Sequence, residues 1–128
     1  MRQVVLYIKS IPFIVEVAIT QKERSEGLSR RNQLFDKNGM LFVFNRPVLI
    51  NVTMRETKIP LDILFLDENF KITQIETARG YQMDFVTSKF PSKYFLEIPA
   101  GSCKKYGIQV GNVIVHSLFN YNLKDKVI

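Results

Sequence analysis

The densest run of reactive side chains is Met54-Arg55-Glu56-Thr57-Lys58-Ile59-Pro60-Leu61-Asp62, set between two apolar stretches. It brings a thioether, charged groups and a hydroxyl together, as a ligand site requires. In an extended register Arg55, Thr57 and Ile59 share one face, with Glu56 and Lys58 on the other. Asp62 opens the apolar segment Leu61–Leu66, where an unpaired carboxylate is costly to bury, so it needs a partner. The plainer reading has Thr57 and Asp62 bonding backbone amides in a turn, with Asp62 pairing to Arg31 or Arg24. Those two arginines flank Gly27-Leu28 and can present guanidinium groups to a carboxylate or phosphate. In the competing reading one pairs internally and the other is solvated. The candidate ligand-binding residues are therefore Arg24, Arg31, Met54, Arg55, Thr57 and Asp62.

Catalytic constellations are thin. Cys103 and His116 could act as nucleophile and base, but no Asn or Asp is evidently placed to orient His116. Alternation over Val113–Leu118 puts His116 on one face with Ile114 and Leu118, where an ordinary satisfied histidine is the simpler reading. Glu56 with Asp62 could serve a carboxylate-dependent hydrolase, a reaction that needs the two carboxyls ~5–10 Å apart. One Cys and one His, without carboxylates at ligand spacing, imply no metal centre. There is no phosphate-binding glycine loop, nucleophile elbow or dinucleotide fingerprint, so no cofactor is expected.

The elements that must position these residues read mainly as strands. Residues 3–9 and 12–19 are rich in Val, Ile, Phe and Tyr and form a hairpin across Ser10-Ile11-Pro12. Thr20-Gln21-Lys22-Glu23 matches a capping box, so a short helix follows to about Ser29. In it, Gly27 marks close packing or the helix end. Polar residues 30–39 lead into the buried strand Met40–Phe44, and Val48–Thr53 reads as another strand. Leu61–Leu66 and Lys71–Thr77 pair across Asp67-Glu68-Asn69. A long loop from Ala78 to Ser92 is expected to be functional or mobile. Tyr94–Ile98 is a strand, Ser102 caps a second short helix closed by Gly107, and Gly111-Asn112 turns into Val113–Leu118. The expected fold is mainly β: a small antiparallel β-barrel or sandwich with two short helices, in one domain over residues 1–128 and with a loosely held tail from about residue 120.

The formal charge of +6 could mark an anionic partner, a small anionic ligand or an acidic protein segment, but with the basic residues scattered a solvated lysine-rich surface is the plainer reading. Nucleic acid, bound through basic residues and the aromatics Tyr81, Phe85, Phe90 and Tyr94, is the weaker partner reading because the basic residues are scattered. The apolar start is too short for a secretory core, and no stretch reaches the ~18 uncharged apolar residues of a membrane helix. With Cys103 alone there is no internal disulfide, which fits a soluble protein of the reducing cytoplasm. A binding or accessory module is expected ahead of an enzyme, and the oligomeric state is not encoded in any pattern.

Four segments together resemble an uncharacterised family, the domain of unknown function one-nine-two. They are Glu23-Arg24 with Gly27-Leu28 and Arg31, Gly39-Met40-Leu41-Phe42-Val43-Phe44, Met54 through Asp67, and Leu96-Glu97-Ile98-Pro99-Ala100-Gly101 with Gly107 and Gly111. The resemblance implies a mainly β fold and brings no established reaction. Relative to that pattern, Thr53 stands where Trp is usual, Glu56 where Asn is usual, Ser29 where Met is frequent and Asn112 where Asp is frequent. If Trp and Asn build a shared pocket, the pocket of this chain is more polar and more acidic.

Overall fold

The computed structural model describes residues 1–116; the tail from about residue 120 and the end of the strand expected at Val113–Leu118 lie outside them. Strands β1 (Gln3–Ile8) and β2 (Ile11–Ala18) form the expected hairpin. Its turn is tighter than anticipated: Lys9 and Ser10 both have positive φ, the two-residue geometry that matches the twist of paired strands, and Ile11 and Pro12 already lie in β2. Helix α1 (Gln21–Glu26) begins with a complete capping box on Thr20 and Glu23. The Glu23 carboxyl also accepts the Ile19 and Thr20 backbone N–H groups, which hold its pKa below the usual carboxylate value. The helix stops three residues short of Ser29 because Gly27 adopts φ +47°, and a Cβ there would press on the Phe42 ring.

The main sheet continues with β3 (Asn38–Val48), while β4 (Asn51–Val52) leaves it; β5 (Leu61–Leu66) and β6 (Ile72–Ala78) pair as the second expected hairpin. A short β7 (Val86–Thr87) precedes β8 (Ser92–Pro99), α2 (Ser102–Tyr106) and β9 (Val115–His116). Seven strands form one curled sheet in the order β6-β5-β8-β3-β2-β1-β9, a half-barrel. The fold is mainly β, as the sequence led us to expect. One pairing departs from the antiparallel scheme: β2 and β3 run parallel, because residues 19–37 with α1 supply the crossover that a parallel pair needs. Residues 109–114 join the ends of the curl through Ile72 N–H to Asn112 O and Ile114 N–H to Phe70 O.

Alternation along the strands gives two apolar layers. Leu6, Phe13, Val15, Leu41, Leu64 and Leu96 fill the face enclosed by the curl. Met40, Phe42, Ile63 and Phe65 point the other way, to a layer completed by Leu28, Ile50, Val52, Met54 and Val86. The cover on that outer face is a ribbon of β4 and β7, so the segment expected as a long loop is pinned. Ser88 and Ile50 exchange hydrogen bonds, and the Gln74 side chain donates to Thr87 O and accepts from Lys89 N–H. Among the described residues no helix is long and apolar enough to cross a membrane.

Gly80 is where this cover meets the Met54–Pro60 connection. Tyr81 N–H donates to Thr57 O, and a Cβ on Gly80 would be driven into the Lys58 carbonyl oxygen. Gly80→Ala should therefore cost about 1–3 kcal/mol, the usual penalty for overpacking, read as a lower urea midpoint at unchanged slope.

Candidate functional site

A cavity of about 620 Å³ opens between α1 and the segment 51–57. That size is typical of small-molecule sites. Its wall includes Arg24, Ser25, Glu26 and Ser29 from the α1 region, Phe42 and Phe44 from β3, Thr53 to Thr57 except Met54 from the connection, and Glu97 from β8.

Of the six candidates drawn from sequence, Arg24, Arg55 and Thr57 line this cavity, and Arg31, Met54 and Asp62 do not. Arg24 Nη1 donates to Ile19 O and to Val43 O at 3.1 Å, while its guanidinium lies 4.7 Å from the centre of the Phe44 ring, tying α1 to β3. Arg55 Nε donates to Met83 O at 2.9 Å and its guanidinium sits over Phe85, clasping the 79–85 turn. Thr57 is buried, its backbone bridging Met54 O and Tyr81 N–H. Met54 is fully buried in the outer core, so it packs and does not present its sulfur to the cavity.

Neither arginine is the partner of Asp62. Arg31 makes a two-pronged pair with Glu16, at 2.7 and 3.1 Å, which raises the guanidinium pKa. Asp62, buried between strands, accepts from Thr77 Oγ1 at 2.7 Å and from Cys103 N–H at 2.9 Å. The second bond caps α2 from across the sheet. The expected Ser102 cap is displaced accordingly: Gly101 holds the N-cap position, and Ser102 Oγ donates to Pro99 O. Burial, then the neighbouring Asp62, pushes the Cys103 thiol up to about 12, so it is no thiolate nucleophile at neutral pH. His116 pairs in β9 with its ring 4.9 Å from Phe70. Of the aromatics considered for nucleic acid, Tyr81, Phe85 and Phe90 are exposed; Tyr94 is buried and stacked on Phe70. No group of three metal-ligating side chains gathers among the described residues.

The residue that sequence reasoning passed over is Glu97. It alternates with Leu96 and Ile98, so it points to the outer layer, between Met40 of β3 and Ile63 of β5. Glu97 is only 4% exposed, and its carboxyl has no hydrogen-bonding or ion-pair partner among the described residues. Burial alone pushes its pKa up to about 8, so near neutrality it is mostly the protonated acid. A signal was present: one acid inside the apolar run Tyr94–Ile98, a strand whose composition implies burial on both faces.

The family model described as DUF192, Uncharacterized ACR, matches residues 4–116. The chain belongs to the DUF192 family. It is similar to a crystal structure from Sinorhizobium meliloti 1021, provisionally called a transcription regulator, at 31% identity and a TM-score of 0.83, covering 89% of this chain and 92% of that one. A protein of unknown function from Novosphingobium aromaticivorans DSM 12444 is similar at 31% identity and a TM-score of 0.79, covering 88% and 83%. No curated protein matches. Three of the four positions noted above as departing from the DUF192 pattern, Ser29, Thr53 and Glu56, line the cavity.

Two outcomes follow. Asp62→Ala leaves Cys103 N–H without its acceptor and Thr77 without a partner, and should cost about 2–4 kcal/mol in denaturant unfolding. Glu97 acts in the opposite sense. Between pH 4.5 and about 8 the native state keeps a proton that the unfolded chain has lost, so stability falls as pH rises through this window and levels above it. Glu97→Gln should remove that slope and be more stable than the parent at pH 8.5, as thermal melts across pH 5–9 would show.

Proposed function

We propose that this chain is a binding module for a small molecule held in the cavity beside Glu97. One observation carries the reading. A buried carboxyl costs stability when nothing bonds it; Glu97 has no partner among the described residues and borders a cavity large enough for a metabolite. A bound ligand that supplies the missing partner turns that cost into binding selectivity. The sequence-derived expectation of a small anion rests on the arginines. Arg31 is committed to Glu16, and Arg24 and Arg55 are partly engaged by backbone carbonyls and rings. An anion is the competing occupant, served by the N–H groups of Arg24 and Arg55 that those carbonyls do not use. The lone, buried Cys103 fits a reducing cytosol.

A hydrolytic reading also draws on this cavity. Glu97, protonated near neutrality, and the exposed Glu56 border it together, an acid and a base of the kind general acid–base catalysis uses. Asp62, held by Thr77 and Cys103, takes no part in it. Turnover of chromogenic esters or glycosides that disappears in both Glu97→Gln and Glu56→Gln would move the assignment to an enzyme.

The binding reading is tested by a thermal-shift screen with amines, organic acids, sugars and nucleotides, repeated on Thr53→Phe, which fills the cavity from an exposed position. A ligand at a hundredfold excess over its Kd should stabilise by about 2.7 kcal/mol, and Thr53→Phe should abolish the shift. No shift from any class, or a shift that survives the filling, overturns it.

A further inference from the structure

We infer that the cavity takes a small organic cation, an aliphatic amine whose ammonium docks on the buried Glu97 carboxylate. The inference rests on the binding reading above and specifies its ligand. Three glutamates line the cavity, Glu26, Glu56 and Glu97, against two arginines, Arg24 and Arg55. Among the described residues the ion pairs are Arg31 with Glu16 and Lys105 with Asp36, so none of those three carboxyls is neutralised by a salt bridge. The two arginines already spend donors on Val43 O and Met83 O and lie over Phe44 and Phe85.

The wall also suits the hydrocarbon of such a ligand. Phe42 lines it, fixed by stacking on Phe95 at 4.1 Å, and Phe44 carries a guanidinium over its ring, which shows that this aromatic wall accepts a positive charge. The net charge of +6 does not oppose entry strongly, because exposed charges are screened beyond about 8 Å at physiological salt. A buried pair is screened far less.

Binding has a proton balance. The amine stays protonated, its pKa near ~10.4 in water, while the Glu97 carboxyl releases its proton to solvent and becomes the counter-ion. The charged groups bordering the cavity with Glu97 are Arg24 and Glu26 from the α1 side and Arg55 and Glu56 from the connection; the neighbouring strands place Met40 and Ile63 beside it, both uncharged. Below about pH 8 affinity should therefore fall close to tenfold per pH unit.

The test uses three four-carbon probes of matched length on the full chain: 1,4-diaminobutane, 1,4-butanediol and succinate, by calorimetry at pH 6.5 and 8.5 in buffers of different protonation enthalpy. The inference expects binding of diaminobutane alone, stronger at pH 8.5, with about one proton released at pH 6.5 and only about a quarter of one at pH 8.5, and at least tenfold weaker in Glu97→Gln. Thermal melts of that variant confirm that it is folded. Succinate binding without diaminobutane, or diaminobutane binding unchanged in Glu97→Gln, overturns it. If a different class shifts the melting temperature in the broad screen while diaminobutane does not bind, the amine assignment fails and the binding module stands. If no probe and no class binds, both fail.

Discussion

Three adjacent strand segments, residues 39–43 of β3, 61–66 of β5 and 92–98 of β8, are covered on both faces, and that constraint governs everything built on them. Both faces carry an apolar layer, so a polar side chain on the central strands is removed from water whichever way it points. Each must then find a partner or bear the cost of desolvation, roughly 1–3 kcal/mol for a neutral group and more for a charge. Asp62 and Glu97 are the two acids in this position, and they meet it in opposite ways. Asp62 receives two donors and becomes a structural link between β5, β6 and α2. Among the described residues Glu97 receives none, and near neutrality it keeps its proton.

That contrast separates construction from function. A carboxyl that accepts a hydroxyl and a helix amide shapes the fold, and its chemistry is used up there. The Glu97 carboxyl borders a cavity assembled from elements distant in sequence: the α1 region, the segment 51–57 and β3. Those elements are held by hydrogen bonds to backbone carbonyls, from the Arg24 guanidinium to Val43 O, the Arg55 guanidinium to Met83 O and Tyr81 N–H to Thr57 O, none of which involves Glu97.

Period-two alternation and turn residues made the two hairpins, the capping box and the second helix legible, because each is set by neighbours within a few positions. Of the six candidate residues read from the arginine pair and the Met54–Asp62 run, Arg24, Arg55 and Thr57 meet at one cavity, whereas Arg31, Met54 and Asp62 are turned to other partners. What local pattern could not show was pairing across long separations. The β4–β7 ribbon joins Asn51 to Thr87, the parallel β2–β3 pair needs the whole 19–37 crossover, and Asp62 caps a helix forty-one residues later. Arg31 looked equally able to serve Asp62 or a ligand, and only the folded register reveals Glu16 beside it. Glu97 escaped notice because chemistry was sought among clustered charges, whereas the informative residue was a solitary acid in an apolar strand.

The same reasoning explains why such an acid can persist. In its neutral form a buried glutamic acid is a modest liability, within what a single domain of this size tolerates. Its alternative, glutamine, leaves a comparable desolvated polar group but can never carry charge. Only the acid can shift between a neutral state in the empty cavity and an anionic state against a bound cation, with solvent taking the difference of one proton. A site built this way discriminates by the free energy of ionisation as well as by shape: a neutral isostere of the ligand finds a hydrogen-bonding acid, and only a cation finds a counter-ion. That Glu97 has no internal partner among the described residues is then what makes the cavity selective, since an arginine placed there would quench the charge that the ligand must meet.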